Sequence, residues 1–269
     1  MHHITTGFVG LGSQGAPMAQ RMIDAGFPTW LWARRPETLE PYAQTAARTA
    51  TSLAELGALC DHIGICVVDD AGVKQTCEAL LPAMRPGSRV AIHSTILPAT
   101  CIALARQFAE RGIALIDAPV SGGAPGATAG TLTVMVGATA EALEAARPVF
   151  ASFARLIIHL GPVGAGQHAK LINNTLMAAN LGLADAAITA AAALGIERTA
   201  LAELIRQSSG ASFAFDVRAR MPDVAGFTHG ARLLQKDVGL LCAVLDDPAV
   251  ALLRDAAAPL LDKILRPLP

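Results

Sequence analysis

The segment Gly10-Leu11-Gly12-Ser13-Gln14-Gly15 constrains the fold more than any other part of the chain. It follows a short apolar run at residues 7–11 and precedes Ala16, Met18, Ala19, Met22 and Ile23, whose spacing predicts a helix that stops at Gly26. Strand, tight glycine turn and helix, in that order, open a dinucleotide-binding unit. Gly10 permits the sharp turn, Gly12 leaves room for a pyrophosphate beside the backbone, and Gly15 lets the helix pack closely on the strand; the helix N-terminus then faces the phosphates. A glycine turn without a ligand is the plainer alternative, and the strands that follow weigh against it. All six residues are candidate cofactor contacts.

Residues 29–33 fit a second strand. Apolar runs at 63–68, 90–93 and 113–117 fit later buried strands with helical segments between them, so a parallel sheet covered on both faces is expected. Residues 131–136 and 156–159 complete this domain. From Gln167 onward the pattern is almost wholly helical, interrupted at Gly195, at Gly210 and over residues 222–230. The expected organisation is α/β: a dinucleotide-binding domain over residues 1–162, then an all-helical domain over 163–269. A chain of 269 residues can bury a core for each.

Charge separates the cofactors. Eighteen residues after Gly15, where an acid would hold a ribose diol, stands Ala33, followed by Arg34 and Arg35. An arginine fork there suits the 2'-phosphate of NADP, against the alternative of two solvated surface arginines. Elsewhere 21 Lys and Arg balance 22 Asp and Glu, leaving a formal net charge of -1 with no basic stripe, which argues against a nucleic-acid partner. Only 16% of residues are charged, so much of the surface is expected to be covered, by the chain itself or by other copies in a homo-oligomer. Residues 175–196 are long and apolar enough to span a membrane but carry Asp185, Asn180 and Gly182, so a buried helix is the preferred reading. The start, Met1-His2-His3-Ile4, has no basic and apolar leader, and a cytoplasmic protein is expected. Five cysteines without a CxxC pair suggest buried thiols, neither a disulfide frame nor a metal site.

Two further segments carry chemistry. Ser121-Gly122-Gly123 lies just past a predicted strand end, where a hydroxyl and two unhindered amides suit a carboxylate and an ordinary glycine turn fits equally well. Lys170 stands near the start of a predicted helix with Asn174 four residues on, on the same face. Helix dipole and desolvation both favour the neutral lysine there, which suits a general acid or base; a surface lysine at a helix start is the alternative.

Together these segments resemble the β-hydroxyacid dehydrogenase family. GLGSQGAPMAQRM, HSTILP around Ser94 and Thr95, DAPVSGGAPGATAGTLTVMVG, GPVGAGQHAKLINN, RQSSG at Arg206 to Gly210 and QKDVGL around Lys236 occur in family order from about Gly7 to Leu245. The resemblance implies a Rossmann domain joined to a helical one, with the active site in the cleft between them. It implies Lys170 as catalytic lysine and Asn174 as the residue that orients substrate. Ser121, Gly122 and Gly123 would grip the substrate carboxylate, and Val67, Val68 and Thr95 would touch the cofactor. Lys236 would close over the nicotinamide, and Asp237 would contact substrate. The implied reaction exchanges a hydride between NADP(H) and a short β-hydroxy acid or semialdehyde without a metal, Lys170 carrying the proton. Imine reductases share the architecture, but Lys170 argues against them, and it argues equally against a non-catalytic dinucleotide-binding module. Three departures stand out: Ala33 at the ribose position, Ala211-Ser212-Phe213 after RQSSG in place of Asn-Trp, and an end at Pro269, short of the family's helical tail.

Overall fold

The computed structural model describes residues 4–266. Residues 1–3 and 267–269 lie outside the described residues, and with them the start and end on which the expectations about a leader and a shortened tail rest. The chain forms two compact units, one running to Lys170 and the other beginning at Leu171.

In the first unit the strands are β1 Thr6–Val9, β2 Thr29–Trp32, β3 Arg48–Thr49, β4 His62–Ile65, β5 Arg89–Ile92, β6 Ala114–Asp117, β7 Val120–Ser121, β8 Leu132–Gly137 and β9 Ala154–Gly161. The helices between them are α1 Gly15–Asp24, α2 Leu53–Leu59, α3 Asp70–Leu80, α4 Pro98–Ala109, α5 Gly123–Ala129 and α6 Ala140–Phe150. The sheet order is β3-β2-β1-β4-β5-β6-β8-β7, with β9 also paired to β8. The first six strands are parallel, and β1, β4, β5 and β6 are buried on both faces, whereas the edge strand β3 is exposed. Phe8 joins an apolar cluster with Met18, Leu31, Phe150 and Phe153, while its neighbour Val9 joins Ile63, Ile65, Val90 and Phe108 on the other face, as alternating side chains require.

The all-parallel expectation needs correction at the far side. Asp117 pairs with Gly137, and Val120 and Ser121 with Val134 and Thr133, all antiparallel. The reason is local: β7 continues the direction of β6 after a two-residue link, and the short connection through α5 returns the chain antiparallel as β8, with no full crossover to keep the direction. A second correction is that β4 ends at Ile65, short of the expected 68. The Val67 amide leaves the ladder and donates to Ser94 Oγ at 2.8 Å, so Val67 and Val68 form a rim loop instead of strand.

The second unit is helical. The long helix α7 Ala165–Ala193 enters it, followed by α8 Arg198–Arg206, α9 Phe213–Ala219, α10 Thr228–Val244 and α11 Pro248–Leu265. Gly195 ends the α7 turn in the left-handed region at φ +73, and Gly210 lies in the α8–α9 connection. Ala178 and Leu181 of α7 pack with Leu234 and Val238 of α10 and Leu260, Leu261 and Ile264 of α11. Asp185 is the polar residue that interrupts the apolar α7. It accepts from Arg218 Nε at 2.8 Å and pairs with Lys263 at 3.2 Å, so its charge is compensated inside the helical unit.

Candidate active site

Strand order reverses on either side of β1, and ligands of open parallel sheets sit at the carboxyl ends of the strands at such a point. The molecule has a cleft there of about 670 Å³. It is lined by Gly10, Leu11 and Gly12 after β1, Ala33, Arg34 and Arg35 after β2, and Val67, Val68 and Asp69 after β4. Gly10 has φ +92, and a Cβ on it would run into the Cys66 carbonyl. A Cβ on Gly15 would meet the Gly10 carbonyl and the Phe8 ring, whereas one on Gly12 would meet nothing within 4 Å. The three glycines therefore serve the turn, the close packing and the open approach. Ser13 is exposed on the turn, Gln14 caps α1 without a side-chain bond, and the first turn of α1 has no acidic residue to occupy its amides.

These features fit a dinucleotide. Gly10 to Gly15 would hold its pyrophosphate and Arg34 its ribose side, where both arginines are exposed on the cleft wall. Val68, 78% exposed, projects from the opposite rim. Sequence reasoning missed Trp32, Thr38, Leu53 and Gln75 as further lining residues, because nothing in their spacing sets them apart from ordinary strand and helix positions. Cys66 also lines the cleft, and burial pushes its thiol up to about 12, so it stays protonated at neutral pH.

Lys170 is buried, at 8% exposure, one turn into α7. That turn is held from outside the helix. Asp117, fully buried at the end of β6, accepts from the Gly164 amide and the Gln167 amide, each at 2.8 Å. Burial raises the Asp117 carboxyl to about 6, a rise opposed by those amide bonds. The buried Gln167 side chain donates to the Ser94 carbonyl at 2.8 Å and accepts from the Ile96 amide at 3.1 Å. Thr95, between those two, is half-buried. Asp117 and Gln167 were not singled out from sequence. The one available signal was a carboxylate closing an otherwise apolar strand, at residues 113–117.

Ser121 ends β7, and the next two residues, Gly122 at φ +129 and Gly123 at φ +63, adopt backbone that favours glycine. A Cβ on Gly122 would crowd Leu132 at 2.9 Å. In the helical unit Asn174, Lys236 and Asp237 come together: Asn174 Nδ2 donates to Asp237 Oδ2 at 2.6 Å, and Lys236 pairs with Asp237 Oδ1 at 3.3 Å. Asp237 is buried and Lys236 half-exposed. Phe213, after the RQSSG segment, is exposed beside the Arg206–Asp216 ion pair in a smaller pocket of about 340 Å³.

Residues 5–161 match the NAD binding domain of 6-phosphogluconate dehydrogenase, and residues 164–263 match the NAD-binding domain of NADP-dependent 3-hydroxyisobutyrate dehydrogenase. The chain belongs to the β-hydroxyacid dehydrogenase family. Among its relatives is the NAD-dependent L-serine dehydrogenase of Pseudomonas aeruginosa, 38% identical over 255 residues that span 87% of this chain and 82% of that protein. The 3-hydroxyisobutyrate dehydrogenase of the same organism is 36% identical over 256 residues, 88% of this chain and 83% of that one. In structure this β-hydroxyacid dehydrogenase is similar to the 3-hydroxyisobutyrate dehydrogenase of Mycobacterium tuberculosis solved with L-serine, with a TM-score of 0.85 at 29% identity over 96% of this chain and 92% of that one. It is an NAD(P)-dependent hydroxyacid dehydrogenase.

Proposed function

We propose that the enzyme is an NADP-preferring dehydrogenase of short β-hydroxy acids, acting also as a semialdehyde reductase in the reverse direction, with Lys170 as its general acid and base. The observation that carries the reading is Lys170 itself: a buried lysine on the first turns of a helix, four residues before Asn174 on the same face. L-serine and 3-hydroxyisobutyrate, named for the relatives, share a primary hydroxyl β to a carboxylate. In this reading the substrate carboxylate lies on Ser121 and the Gly122 and Gly123 amides, and its hydroxyl faces Lys170. When bound, the oxidised nicotinamide supplies the hydride acceptor. Neutral Lys170 takes the hydroxyl proton at Nζ as the carbonyl forms, and in the reverse direction its ammonium returns that proton to the carbonyl oxygen. Asn174 orients the substrate, its amide held by Asp237. The reading assigns Val67, Val68, Thr95 and Lys236 to the cofactor. The reading is of a cytoplasmic homo-oligomer, at least a dimer, in keeping with five free thiols and an apolar stripe left uncovered on α7.

Arg34, beside Arg35, which lies 4.0 Å from Glu37, supports the NADP preference, since the position directly after β2 is Ala33 and not an acid, and a charge-assisted guanidinium bond is worth about 1.5–3 kcal/mol. The test is kcat/KM with NADP+ and NAD+ against 3-hydroxyisobutyrate and L-serine, and with NADPH against the corresponding semialdehydes, for wild type and Arg34→Ala at one ionic strength. Wild type should favour NADP+, and Arg34→Ala should lose roughly ten- to a hundredfold of that preference with its NAD+ rates unchanged. Equal or better use of NAD+ overturns the cofactor assignment, and no turnover of any of these substrates overturns the reading as a whole.

A further inference from the structure

We propose that Asp117 is the positioning residue for Lys170, its buried carboxylate fixing the first turn of α7, and that Gln167 ties that turn to the wall of the dinucleotide cleft. This rests on the reading of Lys170 as the proton carrier.

A helix start is ordinarily finished by a side chain of its own segment. Here residues 161–166 are Gly-Pro-Val-Gly-Ala-Gly, which offer no capping side chain. The acceptor comes instead from another element: Asp117 lies 47 residues before Gly164 and 50 before Gln167, yet takes a bond of 2.8 Å from each. A local cap would stop fraying; a carboxylate on the end of β6 also fixes where the first turn of the helix stands relative to the sheet. Burying a carboxylate is costly unless it is fully bonded, and the helix N-terminus offsets part of that cost. Two glycines accommodate the arrangement as well, since a Cβ on Gly137 would run into the Asp117 carboxylate and one on Gly166 into the Met135 carbonyl, with Asp117 next at 2.9 Å. Gly166 and Lys170 are four residues apart, so Lys170 projects one turn farther along the face that Asp117 touches.

The hydrogen bonds do not end there. From Gln167 they run to the Ser94 carbonyl and the Ile96 amide, and Ser94 Oγ accepts from the Val67 amide in the cleft wall at 2.8 Å. One connected set of bonds thus joins the lysine's helix to the strand ends of β4, β5 and β6. Proton transfer and a reacting carbon must be aligned together, and a misplacement of about 1 Å costs on the order of a hundredfold in rate.

The experiment is a double-mutant cycle on kcat, with NADP+ and whichever of 3-hydroxyisobutyrate and L-serine the wild type turns over faster. Asp117→Asn keeps the shape but sets an amide NH2 against one of the two N–H donors. It should lower kcat by about a hundredfold in the wild-type background and less than about threefold in Lys170→Ala, because the loss acts through the lysine, with NADPH affinity by fluorescence nearly unchanged. Equal losses in both backgrounds, or an unchanged kcat in folded Asp117→Asn, overturn the proposal and leave the Lys170 reading standing. Near-normal kcat in Lys170→Ala alone overturns that reading, and the proposal with it. Should Asp117→Asn fail to fold, the same cycle with Gln167→Met decides by the same criteria.

Discussion

His62 and His93 sit among aromatic rings of the nucleotide-binding unit, with Phe8, Phe150 and Phe153 at centroid distances of 5.6 to 6.0 Å. Burial depresses both imidazoles, His93 to about 4 and His62 well below its usual range, and His62 Nδ1 has no hydrogen-bond partner among the described residues. The unfolded chain binds these protons near pH 6.5 and the folded chain does not, so stability rises with pH between about 4 and 6.5 and is lost as pH falls through that window. Asp117, raised to about 6, works in the opposite sense, because the folded state holds its proton below pH 6. In His62→Leu the slope of unfolding free energy against pH between 4.5 and 6 should fall, by at most about 1.4 kcal/mol per pH unit, measured by urea titration at each pH; an unchanged slope contradicts a neutral buried His62. At this scale sequence reading succeeded where a residue type answers a local backbone demand, as Gly10 and Gly15 do. It passed over His62, Asp117 and Gln167, whose environments are made by residues up to 88 positions away in the chain.

Among the elements, α7 carries the most. Its Gly182 faces α11 so closely that a Cβ would meet the Ala256 carbonyl. Glycine inside a helix costs about 1 kcal/mol relative to alanine, so on propensity alone Gly182→Ala would stabilise. Overpacking against a backbone oxygen, which cannot rotate aside, costs typically about 1–3 kcal/mol, and that term is the larger. Gly182→Ala should therefore lower the urea midpoint of unfolding, and a raised midpoint would show that α7 and α11 separate without strain. The elements were legible where periodicity was strong. The strand, turn and helix at the N-terminus stand where they were expected, and a helical unit follows the nucleotide-binding one as expected. The antiparallel return of β8 was not, because strand direction is set by the short connection through α5, which leaves no periodic trace. Asp185 was visible as an interruption of the apolar helix, but its partners Arg218 and Lys263 come from α9 and α11.

For the molecule as a whole, the buried-helix expectation for residues 175–196 holds on one side only. Ile172, Leu176 and Leu183 are exposed on one stripe of α7, continued by Ala187, Ala190 and Leu194. A second copy of the chain is the occupant proposed for this stripe, which makes Leu183→Glu the informative change. Light scattering at micromolar concentration should give at least a dimer for wild type and a smaller species for Leu183→Glu, whereas a wild-type monomer would contradict the assembly. The chemistry of the whole enzyme turns on Lys170. The decisive measurement is steady-state kcat of Lys170→Ala with NADP+ and the best β-hydroxy acid substrate, with NADPH affinity taken on the same preparation. Positioned proton transfer is worth roughly two to four orders of magnitude, so kcat should fall by that amount with cofactor affinity nearly intact, and a variant keeping more than about a tenth of wild-type kcat with chemistry rate-limiting would contradict the account.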